Sequence, residues 1–371
     1  MEGMSVSQEI VYAKTLDGWD LRLHHYLPRS SLKGRYPVVL CHGLASNKNS
    51  CDFGEFGTSA WERYSLAAFL TKENPDGGSV FDVWVPELRG CGTPMFDPKL
   101  HPEKYRWCLD DYVDYDVPAI IGRVQQWYTE KNQPAPQVFW VGKSMGGMIA
   151  YAYGETAAGQ QNLKGVVTLG SPVAFGKGDV FLEFLIRMTP RNISVPIRVR
   201  ELIGRSSELH DHFKGLGVNP TNIDPEVFRT YLQVGLCDVF SSKVLSQFSL
   251  FFKHADFCRY PRYPWIYDIF GRIPGVKQLI APYSYKEHLN EFVTPLLAIA
   301  GGHDKLAPKQ DVQYAFEHVG SRDKTYLEFS KEAGYRIDYG HLDLNLGMNA
   351  REDVYPKIKA WLNERSDVSS L

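Results

Sequence analysis

Cysteine is scarce, neither sign of charge is in excess, and no apolar run is long enough to span a bilayer; each shortage removes a class of protein. The six cysteines, Cys41, Cys51, Cys91, Cys108, Cys237 and Cys258, are scattered over 371 residues. They form no C-x-x-C pair and no Cys/His cluster at zinc-ligand spacing. A disulfide scaffold needs a far higher density, so they read as reduced thiols, and the expected location is cytoplasmic. A formal charge of −2 leaves no basic face for nucleic acid and no acidic tail for a basic partner. Without ~20 consecutive apolar residues, no transmembrane helix is expected. Residues 1–9 bring an acid early and lack an apolar leader core, so no secretory signal is read there. The N-x-S sequon at Asn192 then reads as a chance match. What is plentiful is core material: 44% of residues are hydrophobic, ample for one large core or a core with a smaller appended unit.

Short apolar runs alternate with helical patterns. Residues 37–41, 80–85, 138–141, 166–169 and 296–299 are continuous runs rich in β-branched and aromatic side chains. They suit strands buried on both faces of a mostly parallel sheet covered by helices. Residues 20–27 alternate only partly and suit an early antiparallel strand. Val113, Val117, Ile120, Val124 and Trp127 recur at helical spacing, and Pro118 among them marks a first turn or a kink. Residues 148–153 suit a buried helix and 354–362 a final amphipathic one. The rhythm breaks from about 171 to 294, where the chain is irregular and rich in Phe, Arg, His and Pro, with helical pieces such as 180–186. A stretch that long cannot be structureless inside a compact domain. It reads as a helical cap or lid inserted at 173–291, above a core made of 1–172 and 292–371.

The strongest local signal is Gly142-Lys143-Ser144-Met145-Gly146-Gly147, which follows the run 138–141 directly and precedes a helical pattern directly. That is the context a G-x-S-x-G nucleophile elbow requires. The tight turn presents Ser144 on its tip, and the helix start behind it aims N–H groups at developing negative charge. A Walker A loop would need a glycine five positions before Gly142, where Gln137 stands, so that reading fails. Lys143 reads as a solvated or sheet-edge lysine rather than a selector of anionic substrates.

Past the run ending at Cys41 lies His42-Gly43-Leu44-Ala45-Ser46. A loop in that place supplies one main-chain donor to an oxyanion and the residue after the nucleophile supplies another, which nominates the amides of Leu44 and Met145. His42 precedes the serine and reads as a loop histidine shaping the hole. Asp304, in the Gly-rich turn after 296–300, stands where a carboxylate would orient a histidine; the competing reading is a cap on a helix starting near Pro308. Eleven histidines are present. His341 is the one placed after the final run, 325–329, beside a glycine, where an imidazole with a pKa near ~6.5 can shuttle a proton.

Taken together, these residues resemble the α/β-hydrolase superfamily, and most closely its acid-lipase-like branch. The sequence Asp17-Gly18-Trp19-Asp20-Leu21 is similar to the strand entry of those lipases. Residues 42–46 are similar to their oxyanion loop, the Asp116-Val117-Pro118-Ala119 stretch to their "DLPA" helix, and His341-Leu342-Asp343 to their "HLD" loop. The chain is also similar to polyhydroxyalkanoate synthase relatives, which carry cysteine where Ser144 stands. Lys143 departs from the acid lipases, which have histidine there. The resemblance implies a mostly parallel eight-stranded sheet with helices on both faces and a helical cap over an acyl pocket. It also implies a Ser144–Asp304–His341 triad working through an acyl-enzyme, with no organic cofactor and no metal. The expected activity is cleavage of a carboxylic ester, with a small hydrophobic ester or acyl compound as substrate. The alternatives are an acyltransferase or thioesterase using the same triad, and a non-catalytic binding protein on this fold.

Overall fold

The unbroken apolar runs become strands because each one feeds alternate side chains into two different cores. Val39, Trp84, Trp140, Val166 and Ala298 join one core, while Val38, Val83, Phe139, Val167 and Leu297 join the other. Burial on both faces erases the usual alternation of apolar and polar residues. A computed structural model of the chain describes residues 6–28, 36–72, 81–92, 95–176, 194–201, 214–273 and 275–366.

Its strands are β1 (Val6–Lys14), β2 (Asp20–Pro28), β3 (Val38–Cys41), β4 (Val83–Pro86), β5 (Val138–Lys143), β6 (Leu163–Leu169), a small ribbon of β7 (Pro196–Ile197) with β8 (Phe240–Ser241), then β9 (Leu296–Gly301) and β10 (Lys324–Phe329). Eight of them form one sheet in the order β1-β2-β4-β3-β5-β6-β9-β10. Only β2 runs against its neighbours; from β4 to β10 every pairing is parallel. The sheet is therefore mostly parallel, as expected. Register aligns Cys41 with Gly142, Lys143 with Leu169, and Gly301 with Phe329. The carboxyl ends of these five strands thus share one rim, the place where open α/β sheets bind ligands.

The helices used below are α1 (Val117–Thr129), α2 (Met145–Gly154), α3 (Pro225–Val234), α4 (Ser242–His254), α5 (Lys309–His318) and α6 (Ala350–Glu364). Side chains of α1, α2 and α5 enter the first core, and α6 packs into the second. Pro118 sits in the first turn of α1, directly after a π-helical turn at Tyr112–Asp116. The final helix extends beyond the expected 354–362 and tolerates Pro356 inside it. Between β6 and β9 the described residues include α3, α4 and the ribbon; the helical piece at 180–186 and Asn192 lie outside the described residues. Among the described residues, no helix is long and apolar enough to cross a membrane.

One buried network ties the chain's early loop to the start of α1. Arg89, 2% exposed, donates from Nε to Asp116 Oδ1 at 2.8 Å and from its terminal nitrogens to Asp17 at 2.6 and 3.0 Å. Its amide donates to Asp116 Oδ2 at 3.1 Å. Asp116→Ala should therefore leave a buried guanidinium half-paired and lower stability by about 3 kcal/mol, read as a lower urea midpoint at unchanged slope.

Candidate active site

Where β5 meets α2 the backbone turns so tightly that Ser144 adopts φ 53° and ψ −118°, a region that costs a side-chain-bearing residue of order 1–3 kcal/mol. The neighbours hold it there. Ser144 N–H donates to Leu169 O at 2.8 Å, and Ser144 O accepts from Gly147 N–H at 2.9 Å. A Cβ on Gly142 would lie 2.4 Å from the Gly146 and Gly147 backbone, and one on Gly146 2.5 Å from Cys41 O. Glycine at both positions follows from that crowding.

The loop after β3 reaches the same place: a Cβ on Gly43 would meet Ser144 Cβ at 3.0 Å. Among the described residues, no protein acceptor takes the amide N–H of Leu44 or Met145. His42 is not free to act on Ser144. Its Nε2 accepts from Leu88 N–H at 3.1 Å, so Nδ1 carries the proton and donates to Gly43 O at 3.0 Å. Burial holds this imidazole below its usual range.

Across the rim, Asp304 and His341 are paired. Asp304 Oδ2 accepts from His341 Nδ1 at 2.7 Å, while Oδ1 accepts the amides of Leu306 and Ala307 at 2.9 and 2.8 Å. Asp304 thus closes its own turn rather than capping α5, whose N-cap is Pro308. The pairing fixes the proton on Nδ1 and leaves Nε2 as the basic nitrogen. Burial lowers the His341 pKa most, Asp304 raises it, and Lys143 lowers it further. The histidine loop is clamped by Asp343, whose Oδ2 accepts from Gly340 and Asn219 amides at 2.8 and 2.9 Å.

Ser144, His341, Leu44 and Lys143 all line one cavity of about 1020 Å³, open solvent at its mouth included. Its other walls are mostly apolar, with Phe175, Tyr231, Phe240, Phe248 and Phe252 among them, beside Ser46 and Ser50. Tyr231 belongs to α3, and Phe248 and Phe252 to α4. The segment around α3 also braces the loop after β3: Ser46 Oγ lies 2.8 Å from Tyr231 OH, Asn47 Nδ2 donates to Val234 O at 2.7 Å, and Cys237 N–H donates to Ala45 O at 2.9 Å.

The expectation for Lys143 is overturned. It is neither solvated nor at a sheet edge: β5 lies between β3 and β6, and Lys143 is 2% exposed. Its apolar stem can lie along a packed interior while only the ammonium needs a partner. That partner is Leu169 O, 3.3 Å away at the end of the neighbouring strand β6, which no local pattern reveals. In the sequence, the one signal for Asp343 is an acid two residues past the histidine, as in the loop it resembles.

Known proteins agree with this architecture. Triacylglycerol lipase 2 of Arabidopsis thaliana is 22% identical to this chain, over 77% of it and 69% of the lipase. A thermophilic esterase from Thermogutta terrifontis superposes with a TM-score of 0.58 at 16% identity, covering 96% of this chain and 99% of the esterase. Proline iminopeptidase of Mycobacterium smegmatis superposes with a TM-score of 0.55 at 14% identity, covering 96% and 99%. A family profile described as the alpha/beta hydrolase fold matches residues 36–337, and the chain belongs to that family.

Proposed function

We propose that the protein is a serine hydrolase that cleaves carboxylic esters bearing a bulky apolar acyl or alcohol group. The observation that carries this reading is the shared cavity: Ser144 and the Asp304-paired His341 face one apolar space. Apolar walls select apolar ligands, which favours a lipid-like ester over a charged peptide. The names of two relatives, a triacylglycerol lipase and an esterase, point the same way.

In the proposed cycle, Ser144 Oγ attacks the ester carbonyl as its proton passes to His341 Nε2. The carbonyl π electrons move onto oxygen, and the amides of Leu44 and Met145 hold that oxyanion, each contributing ~100- to 1,000-fold in rate. The intermediate collapses, the bond to the leaving oxygen breaks, and His341 returns the proton to the departing alcohol. Water then attacks the acyl-enzyme, gives its proton to His341, and frees the acid as Ser144 recovers its hydrogen. Residues 173–291, read as a cap, supply the aromatic walls. The low density of cysteine, six in 371 residues, supports placing this chemistry in the reducing cytoplasm.

A panel of p-nitrophenyl esters of rising acyl length, run beside acyl-CoA thioesters and with an added alcohol acceptor, tests the reading. Expected is release of free acid, with kcat/KM rising with acyl length until the cavity is full. Preferential transfer to the alcohol would make the protein an acyltransferase, and preference for the CoA series a thioesterase. No turnover on any member would refute the proposal.

A further inference from the structure

Resting on that reading, we infer that Lys143 is a positioning residue for the acid–base pair, its buried ammonium keeping His341 in the neutral, proton-accepting form. The geometry centres on Gly170, at φ +58°. A Cβ built there would lie 2.8 Å from Asp304 Oδ2, 3.1 Å from His341 Nδ1 and 3.1 Å from Lys143 Nζ. Three charged or titratable groups therefore converge on one small space, and the ammonium is within about 6 Å of both members of the pair. Lys143 Nζ donates to Leu169 O at 3.3 Å and, among the described residues, reaches no carboxylate within ion-pair distance.

A lysine so placed is costly, because an ammonium out of water loses its hydration. A structural filler at this position needs only the apolar stem, which methionine would provide. The charge is favoured by the carboxylates around it, Asp304 more strongly than Asp343. Burial nonetheless brings the ammonium down to about 8, so it is charged over the acid and neutral range. His341 in turn faces Asp304, which favours its protonation, and Lys143, which opposes it. Asp343, buried and pushed up to about 7, also feels both Asp304 and Lys143.

The two neighbours of His341 pull in opposite directions, and that is useful to a general base. Burial favours the neutral ring most, while Asp304 stabilises the imidazolium in the resting site and works against it. The nearby cation cancels part of that pull in the free protein. It leaves intact the hydrogen bond that fixes the tautomer.

The test is the pH profile of kcat/KM, whose acid limb reports the free enzyme's essential base. The wild-type limb should fall below pH ~6.5, because the pKa of His341 is lowered. Lys143→Met removes the charge and keeps the stem; the limb should move up by about one pH unit, with a smaller change in the plateau. Lys143→Gln gives the same displacement should the methionine variant fail to fold, and Lys143→Arg, which restores the charge, returns the limb toward wild type. A lowered plateau with the limb unmoved in both uncharged variants would mean that Lys143 is merely structural, and the inference fails. A downward shift overturns it as well. The reading of the site fails differently, through turnover that survives in Ser144→Ala at every pH.

Discussion

Ser144→Ala is expected to lower kcat for a preferred ester by about 10⁶-fold and to abolish labelling by a fluorophosphonate probe. The size follows from the proposed roles. Without Oγ no acyl-enzyme can form, and what remains is the oxyanion site and the binding of substrate, worth ~10³-fold or more over water. KM should move little, since the hydroxyl contributes to the transition state rather than to the apolar contacts that hold substrate. Alanine has the same backbone preferences as serine at φ 53°, so the strained turn carries over. The unfolding free energy should then match the parent to within about 0.5 kcal/mol. A folded variant that still turns over esters at the parental rate would remove Ser144 from the mechanism.

Asp304→Asn is the second large effect, a fall in kcat of about 10⁴-fold. The substitution is nearly isosteric, and a carboxamide oxygen can still accept from the amides of Leu306 and Ala307, as Oδ1 does at 2.9 and 2.8 Å. The amide nitrogen then faces His341 Nδ1, where Oδ2 now accepts at 2.7 Å. A donor there forces Nδ1 to accept, the ring proton moves to Nε2, and the base can no longer take the serine's hydrogen. Steady-state kinetics near neutral pH, with KM within a few-fold of the parent, would separate this tautomer effect from misfolding. A loss under tenfold would mean that Asp304 only shapes the turn.

Much of the fold can be read from the sequence, because strands buried on both faces leave unbroken apolar runs. β3, β5 and β9 are such strands, with every residue buried. β1 escapes that logic. It pairs along its whole length with β2, yet it lies at the edge of the sheet with Ile10 and Tyr12 exposed at 44% and 54%, so burial writes no clear pattern into it. The elbow is legible for a different reason: Gly142 is demanded by crowding against Gly146 and Gly147, and Gly146 by the end of the neighbouring strand at Cys41. Asp304 and His341 can be found by their places after successive strands. Lys143 shows the limit, since its surroundings come from Asp304, Gly170 and Asp343, each on a different segment. The cavity walls are legible in the sequence only as an aromatic-rich stretch. Which rings face inward depends on how α3 and α4 lie over the rim.

The bracing of residues 45–47 by Tyr231, Val234, Gly235 and Cys237 means that roof and floor of this chamber are not separable modules. Chimeras that graft a foreign lid in order to change substrate range would also untie the strip of main chain next to the reacting carbonyl. Selectivity and rate should then drift together in such hybrids. Engineering that keeps residues 231–237 and varies only the inward-facing rings of α4 offers a way to alter one without disturbing the other.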